Sequence, residues 1–326
     1  MGRFETSGHG QRLFWGLHVV GALAHLAGLL TTVGITSGHA DVSIPLYGIR
    51  VDAREHAPAT DGPGAVVVSV SRIGDIMPVP LVYAWFGCSL LFHLLVLGSW
   101  ACGRADWYWR GLRRNVGWWR WLEYFFSASI MLLAASAILT TRELRVVVAS
   151  TVLIATTMAF GYATELVSHR WIVGDVSGAR AVTLWSWLGG DTYVLRERWD
   201  PSWASLRERL LFHVVGYVPF VTAWWLVFDA LHSSIDAWVD SDAFPSDAAE
   251  SLWAGFGLFT AFGAVQLALQ LAPYGPSWYW TGEVAYCVLS VAAKWTMGLL
   301  LLFRGLTAER VAAAGSVEVS LGTPCE

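Results

Sequence analysis

Lysine is almost absent from this chain: of its 21 basic residues 20 are arginine, and Lys294 is the exception. Charge of any kind is scarce, at 14% of 326 residues, where an ordinary soluble domain carries roughly a quarter. No run of basic residues suits nucleic acid. Four scattered cysteines, Cys88, Cys102, Cys287 and Cys325, show no CxxC or Cys/His spacing, which excludes a zinc motif and a disulfide framework. A phosphate-binding glycine loop, a nucleophile motif and internal repeats are also missing, so the sequence offers no footing for an enzyme.

What is present is apolar. Hydrophobic residues make up 55% of the chain and the mean hydropathy is +0.50. Seven windows, roughly 12–35, 79–101, 117–140, 145–169, 209–231, 250–272 and 282–304, are each long enough at ~1.5 Å per residue to cross a hydrocarbon core of ~30 Å. The fold class expected is an all-α membrane protein, a bundle of seven transmembrane helices forming one domain over residues 1–326. The first apolar window is too long for a signal-peptide core, despite SGHA at 37–40. MGRFET fits the MGxxxT acylation pattern, which is short enough to arise by chance.

Arginine placement gives an orientation, because loops on the cytoplasmic side retain positive charge. The second-to-third connection carries Arg104, Arg110, Arg113 and Arg114, and the fourth-to-fifth carries Arg170, Arg180, Arg196, Arg198 and Arg207. The fifth-to-sixth connection has Asp229, Asp236, Asp240, Asp242, Asp247 and Glu250 and no basic residue. These place the N-terminus in the cytoplasm and the C-terminal tail, 305–326, outside. The first connection, 36–78, contains alternating segments at 43–51 and 65–73 joined through ATDGPG, the pattern of an extracellular β-hairpin. Its edges offer a surface for a homodimer or, equally, a lid on the bundle. Residues 170–208 are expected to be a cytoplasmic insertion with interfacial Trp185 and Trp187.

Ionisable residues inside a bilayer are costly, so each is a candidate with a partner to be found. The expected set is His18, His25, His93, Glu123, Glu165, His213 and Lys294. Measured from the inner end of each span, His18 and Glu123 lie about six residues in, His93 about eight and Lys294 about twelve, roughly 9–18 Å at helical rise. Side chains lean toward the N-terminus of their helix, which points Lys294 down to the layer of Glu123, His18 and His93. Glu123 is the available anion. Ser290 precedes Lys294 by one turn and can bond its nitrogen, and Ser127 bears the same relation to Glu123. Glu165 and His213 lie near span ends, where contact with headgroups or water suggests a structural role. About ten apolar residues follow Lys294, too many for snorkelling. A carbonyl condensing with its amine to a Schiff base explains both the burial and why arginine cannot substitute.

A single lysine in the seventh of seven spans resembles the retinal-binding rhodopsins. The stretches RWLEYFFSASIM (120–131), GEVAYCVLSVAAK (282–294), FGYATE (160–165), WGLH (15–18) and LLFH (90–93) narrow the resemblance to the heliorhodopsins, whose inverted topology agrees with the arginine argument. The resemblance implies all-trans retinal covalently bound on Lys294, Glu123 as counterion, Ser290 as its neighbour, and His18 and His93 in a polar cytoplasmic-side cavity. It also implies a dimer in which the hairpin takes part. Ala128 departs from the serine expected there, with Ser127 and Ser129 on either side. The retinal slot is expected from Phe256, Phe259 and Phe262 on the sixth span, Tyr217, Pro219 and Phe220 on the fifth, and Tyr124 beside the counterion.

The function expected is a light receptor that signals to a still unidentified partner. Outward pumps of the microbial rhodopsins carry two carboxylates on the third helix eleven residues apart; here the second position is Ala134. A light-gated proton or cation channel of the same fold, using His18, His93, Glu165 and His213, is the first alternative. A chromophore-free transporter with a Lys294–Glu123 ion pair is the second.

Overall fold

The computed structural model describes residues 8–37, 43–53, 66–113, 116–140, 143–172, 203–238, 248–271 and 276–302. In chain order these form α1 (Gly8–Thr36), β1 (Ile44–Ala53), β2 (Val66–Ile76), α2 (Pro78–Ala101), α3 (Asp106–Arg113), α4 (Trp118–Leu139), α5 (Leu144–Ile172), α6 (Trp203–Trp238), α7 (Ala248–Leu271) and α8 (Pro276–Leu300). Seven of the helices, all but α3, are long and apolar enough to cross a membrane. They turn aliphatic side chains outward, with Leu13, Val20, Leu30, Val214 and Val218 all more than half exposed, as helices facing lipid do.

Local sequence sets the ends. α2 starts on Pro78, whose missing N–H costs nothing in a first turn. It stops at Gly103, which takes a positive φ of 67° while the Arg104 N–H donates to the Ser99 carbonyl at 2.7 Å. That turn throws the chain into α3, an amphipathic helix the sequence reading did not anticipate. It buries Tyr108, Trp109 and Leu112 against Phe14 and Val96, capping one end of the bundle. At the other end lies the antiparallel β1–β2 hairpin, with a bulge between Leu46 and Tyr47. Ile44 and Leu46 are buried, and Tyr47 bridges to Glu143 at the start of α5.

Between these ends the core packs Val82, Trp85 and Phe86 of α2 with Met131, Leu132 and Ala135 of α4, Trp224 and Val227 of α6, Leu252 of α7, Met297 of α8 and Leu301 just past its end. The expected spans correspond to the observed ones with shifted ends. The fifth, expected at 209–231, runs from Trp203 to Trp238 with Pro219 inside it, and the seventh begins at Pro276 instead of 282. The strands end at Ala53 and Ile76, a few residues beyond 51 and 73, because ladder pairing continues past the alternating pattern. The ATDGPG turn, most of the 170–208 insertion and the 305–326 tail lie outside the described residues.

Candidate functional site

The solitary lysine finds its anion. Lys294 Nζ on α8 lies 3.1 Å from Glu123 Oε1 on α4, and both residues are buried. Nζ also donates to Ser290 Oγ at 2.7 Å, one turn earlier on the same face. A buried ammonium with no anion costs several kcal/mol, roughly 3–5 when one partner is removed, so this contact is what makes the charge tenable. The second acceptor demand of Glu123 is met across the bundle by the Ser89 hydroxyl of α2. Ser127 does not do this: its Oγ is buried without a hydrogen-bond partner and faces the cavity beside Lys294. One-turn spacing places a serine near a carboxylate, but the Glu123 side chain leans toward α2, where Ser89 is reached first.

Next to Lys294 an apolar cavity opens in two lobes. The smaller lobe is lined by Lys294, Ala293, Tyr124, Ser127, Ala128, Met131, Met158, Phe259 and Phe262. The larger lobe shares Tyr124, Met158, Phe259 and Phe262 with it and extends past Gly161, Tyr217 and Phe220 to His213 and Gln266. Gly161 is required there, because a Cβ would run into the Trp121 ring. Tyr124 donates from its hydroxyl to the Tyr286 carbonyl at 3.1 Å, and its ring lies 5.4 Å from Lys294 Nζ. Of the aromatics expected to line the slot, Tyr217, Phe220, Phe259, Phe262 and Tyr124 do so. Phe256 does not: it packs against Phe220, Trp224, Trp253 and Phe228, one helical turn toward the hairpin end. Pro219 is buried but absent from the lining, since α6 turns the Gly216–Tyr217–Phe220 face inward.

His18 and His93 are brought together as expected. Their Nδ1 atoms are 2.8 Å apart, and His18 Nε2 lies 2.7 Å from the Tyr108 hydroxyl on α3. His25, two turns further along the same face of α1, stacks on His93.

Toward the α3 end a second charged layer closes the bundle. Arg120 on α4 pairs with both Glu165 on α5 and Glu283 on α8, all three buried. Glu165 also accepts from the Gly117 N–H at 2.7 Å, and the Arg120 guanidinium lies 4.2 Å from the Tyr286 ring centre. The expectation of a headgroup or water contact for Glu165 is therefore wrong. α5 continues to Ile172, so Glu165 sits seven residues inside the helix and is 1% exposed. His213 is likewise buried, at the end of the larger lobe. Arg120 and Glu283, three residues and one residue from the expected span ends, read as interfacial in the sequence. Their signal was complementarity: one arginine and two acids on three different spans at one depth.

These features define a class: a seven-helix bundle of the rhodopsin type, with a buried lysine in the last span paired to a carboxylate on the third and facing an apolar slot. The thermophilic rhodopsin from Rubrobacter xylanophilus has the same fold, with a TM-score of 0.56 over 93% of this chain and 99% of that one, at 12% identity. The chain belongs to the heliorhodopsin family, whose sequence profile matches residues 11–178, just over half of it. None of the curated proteins matches it. It is a retinal-type photoreceptor in the general sense of that family and an integral multi-pass membrane protein. The residues fit the chromophore: a buried primary amine, one carboxylate to balance it, and an aromatic cavity beginning at that amine.

Proposed function

We propose that this protein is a light sensor in which Lys294 Nζ carries all-trans retinal as a protonated Schiff base and Glu123 is the counterion. The observation that supports it most is the 3.1 Å contact of these two buried groups at the mouth of the apolar cavity. When bound, retinal supplies light absorption and a change of shape. The chain's residues do the rest. Glu123 holds the positive charge at Nζ, Ser290 and Ser89 orient the two partners, and Tyr217, Phe220, Phe259 and Phe262 exclude water and fix the slot. A proton released at Nζ meets imidazole groups on one side only.

That one-sidedness favours sensing over pumping. The buried ionisable residues among those described, His18, His25, His93, Arg120, Glu123, Glu165, Arg209, His213, Glu283 and Lys294, lie from the middle of the bundle to its α3 end. Toward the hairpin end, the interior holds buried hydroxyls such as Thr36, Ser136 and Ser150 but, among the described residues, no buried charged side chain, and Ala134 is fully buried there. A proton that leaves toward one end and returns from it does no transport. The arginine distribution supports an orientation with the α3 end and the N-terminus in the cytoplasm and the hairpin and C-terminus outside. Val70 and Ile73, exposed on β2, suit a homodimer contact of the hairpin beside the lipid bilayer, and the signalling partner awaits identification.

A visible spectrum of purified protein with added retinal tests the reading. A coloured pigment is expected in the native chain, none in Lys294→Ala, and a red-shifted one in Glu123→Gln. A native protein that stays colourless supports a chromophore-free transporter and sinks the receptor. The buried charges reaching the α3 end favour a light-gated proton channel as second reading; a photocurrent in patch-clamped membranes would decide for it.

A further inference from the structure

The larger lobe of the cavity ends on two polar groups without a hydrogen-bond partner among the described residues. His213 Nε2 on α6 and Gln266 Nε2 on α7 are both buried and unpartnered, and both residues line this lobe. His213 is 8% exposed and Gln266 2%. An amide or imidazole nitrogen stranded in a dry interior is costly, and apolar side chains would line the slot without that cost. Unpartnered indole N–H groups recur in the bundle, at Trp85, Trp119, Trp121 and Trp224, on rings that packing alone explains. An amide and an imidazole on the wall of one cavity are not explained that way.

The neighbours set the direction of these groups. Tyr286 donates from its hydroxyl to Gln266 Oε1, so the carbonyl edge of the amide is taken and its two N–H bonds are left for another acceptor. The His213 ring stands edge-on to Tyr217 with ring centres 5.1 Å apart. Gly263 lets the Tyr217 hydroxyl close against α7 within one turn of Gln266: a Cβ there would lie 2.6 Å from that oxygen. The threonine donors on the same walls are already spent, since Thr157, Thr164 and Thr260 each donate to a carbonyl four residues back in their own helix. The open hydrogen-bonding capacity of this lobe therefore gathers at His213 and Gln266. The smaller lobe, which holds Lys294, reaches neither residue, so the end of the slot remote from the amine is the polar one.

We propose that His213 and Gln266 form a polar subsite for a hydroxyl group on the ring of the bound retinoid, so that this chain selects a ring-hydroxylated retinal over retinal itself. This rests on reading Lys294 as the retinal-bearing amine and the two lobes as its slot. A hydroxyl is the matching group because it both accepts and donates. Its oxygen accepts from the Gln266 N–H, and its hydrogen goes to His213 Nε2 when the imidazole proton sits on Nδ1; with that proton on Nε2, the second oxygen lone pair accepts it instead. A plain hydrocarbon ring covers both nitrogens and satisfies neither. A site that leaves its own buried polar groups unmet rejects the wrong ligand more strongly than one that merely lacks a methylene contact.

The test uses the full retinal-free chain in lipid nanodiscs with two alcohols, retinol and 3-hydroxyretinol, which cannot condense with an amine. Binding is read as quenching of tryptophan emission, corrected for partition of each alcohol into protein-free discs. The native chain is expected to bind 3-hydroxyretinol about tenfold more tightly, the scale of one to two net hydrogen bonds. His213→Leu and Gln266→Leu are each expected to lose most of that preference while keeping their affinity for retinol. Equal affinity of the native chain for the two alcohols would mean that the two nitrogens hold water only, and overturns the subsite; so does a preference that both variants retain. If neither variant accumulates, nuclear magnetic resonance of the native chain with isotope-labelled histidine decides: a His213 ring signal that responds alike to both alcohols overturns it. A native chain that forms pigment with retinal yet shows no preference sinks the subsite and leaves the receptor standing. One that forms no pigment defeats the receptor reading instead, and the alcohols still judge His213 and Gln266.

Discussion

Replacing Arg120 by leucine should cost far more than neutralising either of its acids. Arg120→Leu leaves Glu165 and Glu283 facing each other in a buried layer, and stripping one partner from a buried pair costs roughly 3–5 kcal/mol. The cation–π contact with Tyr286, worth up to ~2 kcal/mol when desolvated, goes with it. The Gly117 N–H still holds Glu165, which offsets part of the loss. The net is about 5 kcal/mol, between three and four decades in the folding equilibrium at ~1.4 kcal/mol per decade. Glu165→Gln or Glu283→Gln keeps an acceptor oxygen toward the guanidinium and exchanges a charged hydrogen bond for a neutral one, about 1–2 kcal/mol. The triple change Arg120→Leu, Glu165→Gln, Glu283→Gln should recover most of the loss, since no uncompensated charge remains. Unfolding of retinal-free protein in mixed detergent micelles, with denaturing detergent as titrant, measures all four. Equal costs for Arg120→Leu and for either glutamine variant, or no recovery in the triple, would show that this layer does not behave as a buried charge cluster.

Three further outcomes are expected. Gly161→Leu drives a side chain into the space held by the Trp121 ring and the cavity wall, and overpacking of ~1–3 kcal/mol should slow pigment formation about tenfold or more, followed as colour after retinal addition. Ser89→Ala should shift the visible band in the same direction as Glu123→Gln but less far, and Ser127→Ala should shift it less than Ser89→Ala, because only Ser89 donates to the carboxylate; the reverse order would restore Ser127 as the partner. Ile73→Cys, in a chain whose exposed Cys102 is replaced by serine, should crosslink into a dimer on mild oxidation in membranes; a product that stays monomeric on gels would count against the hairpin contact.

Much of this was legible in one dimension because a bilayer simplifies the code. Span length, arginine bias and the cost of buried charge each act through composition, so seven helices and the Lys294–Glu123 pair follow without tertiary detail. What was not legible depended on where side chains lean across helices. Spacing along the chain points to Ser127 as the partner of Glu123, and the approach of α2 to α4 supplies Ser89 instead. Phe256 and Phe259 lie three positions apart on α7, yet of the two only Phe259 reaches the cavity. Tyr108 sits in a connection that reads as a loop, and becomes part of the site because α3 folds back under the bundle.

The two charged layers then divide the labour along the bundle axis. The Lys294 layer holds a balanced pair against an apolar slot, and the Arg120 layer holds one cation between two acids on separate helices. Beside them His18, His93 and Tyr108 are joined by hydrogen bonds whose donor and acceptor roles depend on the tautomer. A proton moved at Nζ therefore changes the field felt by a layer that ties α4, α5 and α8 together. Because packed helices with paired charges are bistable, not continuously deformable, a charge change in the upper layer biases which arrangement the lower one adopts. Under the proposed orientation and signalling role, the α3 end is where such a change would be read.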